Sequence, residues 1–150
     1  MEKDPVILNG YEKLAEISWK SRFALMKHNW ELLGDYFKEN TTIMNIMMRH
    51  VGFSDGIGLF NNILIKLIEQ NSDVYAAKLT GAGGGGSIFA LVKPDMIDTV
   101  LLSWKEELNK IINKEEYYEA LFPEYPLEAR NQLKNAQFFK IKIVSGVKKL

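Results

Sequence analysis

The sequence has 150 residues, one ordinary domain's worth, and its 47% hydrophobic and 25% charged residues exclude a disordered chain. Nineteen Lys and Arg balance nineteen Asp and Glu, so the basic excess of a phosphate-neutralising nucleic-acid binder is missing. The absence of cysteine removes disulfides, thiol catalysis and cysteine-ligated metal centres. It also fits a reducing compartment, so a cytoplasmic location is expected.

No apolar run reaches the roughly eighteen residues of a membrane span, and Met1-Glu-Lys-Asp-Pro5 lacks the apolar core of a leader. Neither a membrane partner nor a signal peptide is expected. Along residues 11–40, Trp19, Phe23, Met26, Trp30, Leu33 and Phe37 recur at spacings of four and three, which predicts one apolar helix stripe packed in the core. Periodicity alone gives a single long helix, but His28-Asn29 offers a break, with Asn29 as cap of a second helix from Trp30. Thr41 or Thr42 then predicts a separate short helix ending near His50 and stopped by Gly52.

Ser54 or Asp55 reads as the cap of the next helix, with Ile57, Phe60, Leu64, Leu67 and Ile68 on its buried face. From residue 74 the period changes. Residues 74–79 and 87–92 are short, apolar and bounded by turn formers, so both read as strands. Pro94 suits the first turn of a further helix whose core stripe is Ile97, Leu101, Trp104, Leu108 and Ile111. Residues 113–136 read as a partly helical surface excursion with Tyr117, Tyr118, Phe122 and Tyr125 as aromatic anchors. Residues 139–143 alternate strictly and predict a strand with one wet face. The order gives an α+β domain, helices on a small, mainly antiparallel sheet. The whole chain, 1–150, reads as that single domain.

Five of the eleven glycines fall within positions 81–86. Glycines without Cβ atoms take positive φ freely, and a run of them can turn several backbone N–H groups toward one anion. A plain hairpin closes with two residues, so turning the chain does not account for this run. A flexible loop without chemistry is the bland alternative. The candidate ligand residues are Lys78, Thr80, Gly81, Ala82, Gly83, Gly84, Gly85, Gly86 and Ser87. Thr80 and Ser87 can bond either a phosphate or the loop's own backbone, and Lys78 can meet an anion or a local carboxylate. The run fits Gly-x-Gly-x-x-Gly formally, but a strand and not a helix follows it, against a dinucleotide fold. It lacks the Gly-Lys-Ser/Thr ending of a P-loop, and no His-Arg-Asp or Asp-Phe-Gly segment of a protein kinase follows. No catalytic residue and no metal-ligand set can be named.

Lys78-Leu79-Thr80-Gly81-Ala82-Gly83-Gly84-Gly85-Gly86 resembles the third motif of the GHMP kinases, with the Lys-Leu-Thr opening of mevalonate kinases. The likeness extends to residues 24–40, similar to the family's helix, Gly-Asp break and second helix, with His28-Asn29 at the break. It continues in Val51-Gly52-Phe53-Ser54 and in the last strand and Gly-Val ending at 143–147. Thr41 stands where the family often has His or Gln, and Ser87 where it often has Cys. The resemblance implies a ferredoxin-like C-terminal domain of an ATP- and Mg2+-dependent kinase that phosphorylates a hydroxyl of a mevalonate-like or sugar substrate. It also implies isoprenoid biosynthesis as the setting nearest to mevalonate kinase.

The family's Pro-x-x-x-Gly-Leu-Gly-Ser-Ser segment, which wraps the ATP phosphates, and the aspartate and lysine associated with transfer do not occur in the sequence. The implied partners are therefore a small-molecule substrate and an N-terminal kinase half, in cis or in trans, without which the chain is expected to be inactive. A cleft face left open predicts self-association or modest stability. The alternative is a non-catalytic ligand-binding or regulatory module of the same fold. RNA binding is disfavoured, because no strand carries the aromatic pattern and no face is basic.

Overall fold

The computed structural model describes residues 4–81 and 86–141. In chain order these form α1 (Pro5–Met26), α2 (Trp30–His50), α3 (Leu59–Ile68), β1 (Val74–Thr80), β2 (Ser87–Val92), α4 (Ile97–Asn113), α5 (Glu115–Leu121) and α6 (Ala129–Gln132). The α+β class stands: helices pack on a small antiparallel sheet, which has two strands among the described residues. Layer follows layer, with α1 on α2, α2 on β1, and α3 and α4 across the other face of the hairpin.

The break at His28-Asn29 is real, and its geometry explains it. His28 sits at φ 54, its N–H bonds the Leu25 carbonyl at 3.1 Å, and the Asn29 N–H bonds the Ala24 carbonyl at 2.9 Å. This pair of bonds is the Schellman ending of a helix. Asn29 Oδ1 then accepts from the Leu32 N–H at 3.1 Å and caps α2.

Three helix expectations need correction. Trp19, Phe23 and Met26 are not in the core; they are 59%, 45% and 65% exposed, and α1 instead buries Gly10, Ile17 and Ala24 against α2. Small residues let the two helix backbones approach: a Cβ on Gly10 would collide with the Met47 thioether. No new helix starts at Thr41 or Thr42, because α2 runs unbroken to His50. Thr42 Oγ1 donates to the Lys38 carbonyl at 3.0 Å, so its hydroxyl is satisfied inside the helix. Helix α3 starts at Leu59, after Gly58 at φ +114, without a cap from Ser54 or Asp55. The N–H of Ile57 goes to Asn45 Oδ1 at 3.0 Å, and Asn62 Nδ2 reaches the Asp55 carbonyl at 2.8 Å, so α2 and α3 together hold the 51–58 turn.

The main core joins Ile57, Ile63, Leu67 and Ile68 to Ala77 and Leu79 of β1, and to Val100, Trp104, Leu108 and Ile111 of α4. Residues 113–136 close this core: Tyr118 and Phe122 are fully buried, and the Tyr118 hydroxyl donates to the Pro126 carbonyl at 3.1 Å. Beyond them, the expected strand does not form in the described part of 139–143. Residues 136–141 carry no ladder, and Phe139 and Ile141 are about three-quarters exposed. Alternation makes a strand only when an edge pairs with it; here Phe138 instead docks edge-on against Trp104, with ring centroids 5.2 Å apart. Residues 142–150, including the Gly-Val ending, lie outside the described residues.

Candidate functional site

The glycine run lies between the two strands of the only sheet among the described residues. Cα partners run from Val74↔Val92 to Thr80↔Ser87, with one extra residue on β1 at Tyr75. After that bulge, Ala77 and Leu79 face the main core. Ala76, Lys78 and Thr80 alternate to the opposite face. Phe89, the register partner of Lys78, shares that face and meets the Phe37 ring of α2 edge-on at 5.6 Å.

Two positions of the loop are fixed by backbone conformation. Gly81 has φ +88 and Gly86 has φ +104, and a Cβ on either would meet nothing within 4 Å. Left-handed conformation, and not crowding, requires glycine there. Ala82, Gly83, Gly84 and Gly85 lie outside the described residues.

The hydroxyls at the loop's mouth are already engaged. Thr80 Oγ1 donates to the Ser87 carbonyl at 2.7 Å and lies 2.5 Å from Ser87 Oγ. With the Thr80 proton on that carbonyl, Ser87 is the donor between the hydroxyls, and neither has a proton left for an anion. Thr80 thus bonds the backbone at the loop's base, and Ser87 bonds the Thr80 hydroxyl. Lys78 Nζ donates to the Leu79 carbonyl at 3.2 Å, and burial pushes its ammonium below the ordinary lysine range. No carboxylate pairs with it among the described residues. A half-buried, unpaired ammonium gains from an anion brought beside it.

The other side of β1 is closed by a residue that sequence reasoning missed. Glu69, at the end of α3, accepts from the Ala77 N–H at 3.2 Å, and burial raises its carboxyl above the ordinary range against the pull of that bond. Nothing in the sequence around Glu69 signals a strand-edge contact. The remaining singled-out residues are structural. His50 ends α2 and places Nε2 2.7 Å from Asp4 Oδ2, while Asp4 also accepts from the Val6 and Ile7 N–H groups. Lys140 pairs with Asp98 at 2.8 Å. A cleft of about 470 Å³ lies between Arg49, Lys66, Glu69 and Tyr125.

Among the described residues no group of three or more His, Asp or Glu side chains is placed to hold a metal ion. Of the described candidate residues, Lys78 alone carries a charge. No described helix is long and apolar enough to cross a membrane.

No curated protein and no solved structure matches the chain. Residues 12–110 match the family described as GHMP kinases C terminal. That span starts inside α1, takes in α2, α3 and the whole glycine hairpin, and ends within α4. The chain belongs to the GHMP kinase family and carries its C-terminal domain.

Proposed function

We propose that this chain is the C-terminal portion of a small-molecule kinase that transfers phosphate from ATP to a hydroxyl of a mevalonate-like or sugar substrate. In this reading the 81–86 loop closes one side of the phosphate and substrate cleft. The observation that carries it is the hairpin: two glycines held left-handed, a hydroxyl brace beneath them, and a half-buried lysine without a carboxylate partner among the described residues, three positions before the first of them.

Phosphoryl transfer depends on positioning and on stabilising charge at the phosphate oxygens. Lys78 and the loop amides suit the second task. ATP, when bound with Mg2+, supplies the phosphoryl group. The ATP grip, the metal ligands and the proton-transfer groups come from an N-terminal kinase half, in the same polypeptide or a separate one.

The test is nucleotide and pyrophosphate binding by the chain paired with such a half, with Gly84→Val as the variant and circular dichroism as the fold control. This reading predicts that the substitution removes phosphate binding at least tenfold while the fold survives. Binding indifferent to Gly84→Val, with a protein partner lost instead, would replace it with a non-catalytic module of the same fold.

A further inference from the structure

Helix α1 has two apolar faces, and among the described residues only one is covered. The inner face sets Gly10, Ile17 and Ala24 against α2, with Ile17, Ile43 and Met47 in one cluster. On the outer face Leu8, Ala15, Trp19, Phe23 and Met26 follow at intervals of seven, four, four and three, one stripe along the helix. All five are exposed, as is Tyr11 beside them. The stripe is ordered within itself: Trp19 and Phe23 meet edge to face at 5.5 Å, and the Arg22 guanidinium lies 5.3 Å from the Trp19 ring centre.

We propose that this stripe packs antiparallel against α1 of a second copy of the chain, about a two-fold axis level with Ile17. The argument is self-complementarity. A two-fold there sets Leu8 opposite Met26, Tyr11 opposite Phe23, and the small Ala15 opposite the large Trp19. Self-matching of this kind is what an isologous interface demands.

The charges agree with the same register. Glu12 and Glu16 flank the stripe in the N-terminal half of α1, and Lys20 lies on the same flank in the C-terminal half. Lys20 pairs with Glu16 of its own helix at 2.6 Å, and antiparallel pairing brings Glu12 of the other copy, which has no cation partner among the described residues, alongside it. On the opposite flank, Arg22 comes level with Tyr11 of the other copy, in reach of a cation–π contact. A parallel pair would set Glu12 against Glu12, Arg22 against Arg22 and Trp19 against Trp19, and would align the two helix dipoles unfavourably. One helix against one helix is a small interface, so the dimer is weak.

Sedimentation equilibrium of the 150-residue chain tests this. The mass should rise with concentration from 17.2 kDa toward twice that value. Trp19→Glu should weaken association at least tenfold with an unchanged circular dichroism spectrum, since the side chain is 59% exposed.

Orientation is read by cross-linking, because the chain has no cysteine of its own. Leu8→Cys and Met26→Cys chains should form a disulfide when mixed. Neither should do so alone, because an antiparallel pair holds like positions about 27 Å apart. A chain that stays monomeric, a dimer untouched by Trp19→Glu, or Leu8→Cys chains that join each other as readily as Met26→Cys chains would each overturn the proposal. So would a stripe shielded only when an N-terminal kinase half is added.

Discussion

Thr80 and Ser87 form the last pair of the β1–β2 ladder, and the Thr80 hydroxyl donates to the Ser87 carbonyl at 2.7 Å across the mouth of the glycine loop. The two ends of a six-residue loop are thereby tied at its base, and the flanking glycines at 81 and 86 can hold their left-handed turns. The brace gives the loop a fixed base without using any of its backbone N–H groups.

Removing the brace and removing the turn should differ. Thr80→Val keeps the shape and the strand preference but loses the hydrogen bond, at a cost of about 1 kcal/mol. Gly81→Val forces a β-branched residue into the left-handed region, at a cost of about 1–2 kcal/mol. Chemical denaturation of both variants checks the order. Pyrophosphate binding by the paired chain should fall further for Gly81→Val than for Thr80→Val.

Glu69 makes a pH-dependent prediction. Its carboxyl is raised above the ordinary 4.5, mainly because burial disfavours the charge. The folded state therefore holds the proton more tightly than the unfolded state. Any stability linked to this group is full below the unfolded value and is lost as pH rises through the folded value. Gln at 69 keeps an acceptor for the Ala77 N–H and carries no charge. The melting temperature of Glu69→Gln should thus gain on wild type as pH rises from about 4 to 7. Glu69→Ala leaves that N–H without its partner and should destabilise by about 1–3 kcal/mol.

At the end of α1, His28 is the one non-glycine residue with positive φ among the described residues. His28→Gly relieves the left-handed strain while keeping both Schellman bonds, which come from backbone atoms. It should stabilise the chain by about 1 kcal/mol, seen as a raised melting temperature.

Where α2 crosses the bulge of β1, a Cβ on Gly34 would lie 2.7 Å from the Tyr75 carbonyl oxygen. The obstacle is backbone and cannot swing aside. Gly34→Ala should therefore push α2 off the sheet and destabilise by about 1–3 kcal/mol in denaturant titration. The Phe37–Phe89 contact sits next to this crossing, so loss of the helix-to-sheet distance should also perturb the face that carries Lys78.

What was legible in the sequence was mostly local. The Asn29 cap, the Pro94 entry into α4 and the two strands around the glycines each depend on residues within a few positions. The face of α1 was not legible, because Trp19, Phe23 and Met26 have the same spacing whether they meet a core or a partner. The deciding residues were Gly10 and Ala24, which allow close approach to α2 and carry little hydrophobic signal. The start of α3 is hidden for a related reason: Ser54 and Asp55 are good local caps, but Asn45, twelve residues before Ile57, accepts the Ile57 N–H. At the candidate site, the glycine run and Lys78 stood out by residue type. The brace between Thr80 and Ser87 depended on strand register, and the Glu69 contact on tertiary packing.

The central claim is that these residues form one side of a kinase site that needs an N-terminal half. Its most direct measurement is ATP-dependent phosphorylation of mevalonate and of sugars by the purified 150-residue chain, alone and with an N-terminal half that carries the Gly-Leu-Gly-Ser-Ser segment. No turnover is expected from the chain alone, turnover is expected on adding that half, and Gly84→Val should abolish it. Robust turnover by the chain alone would contradict the claim.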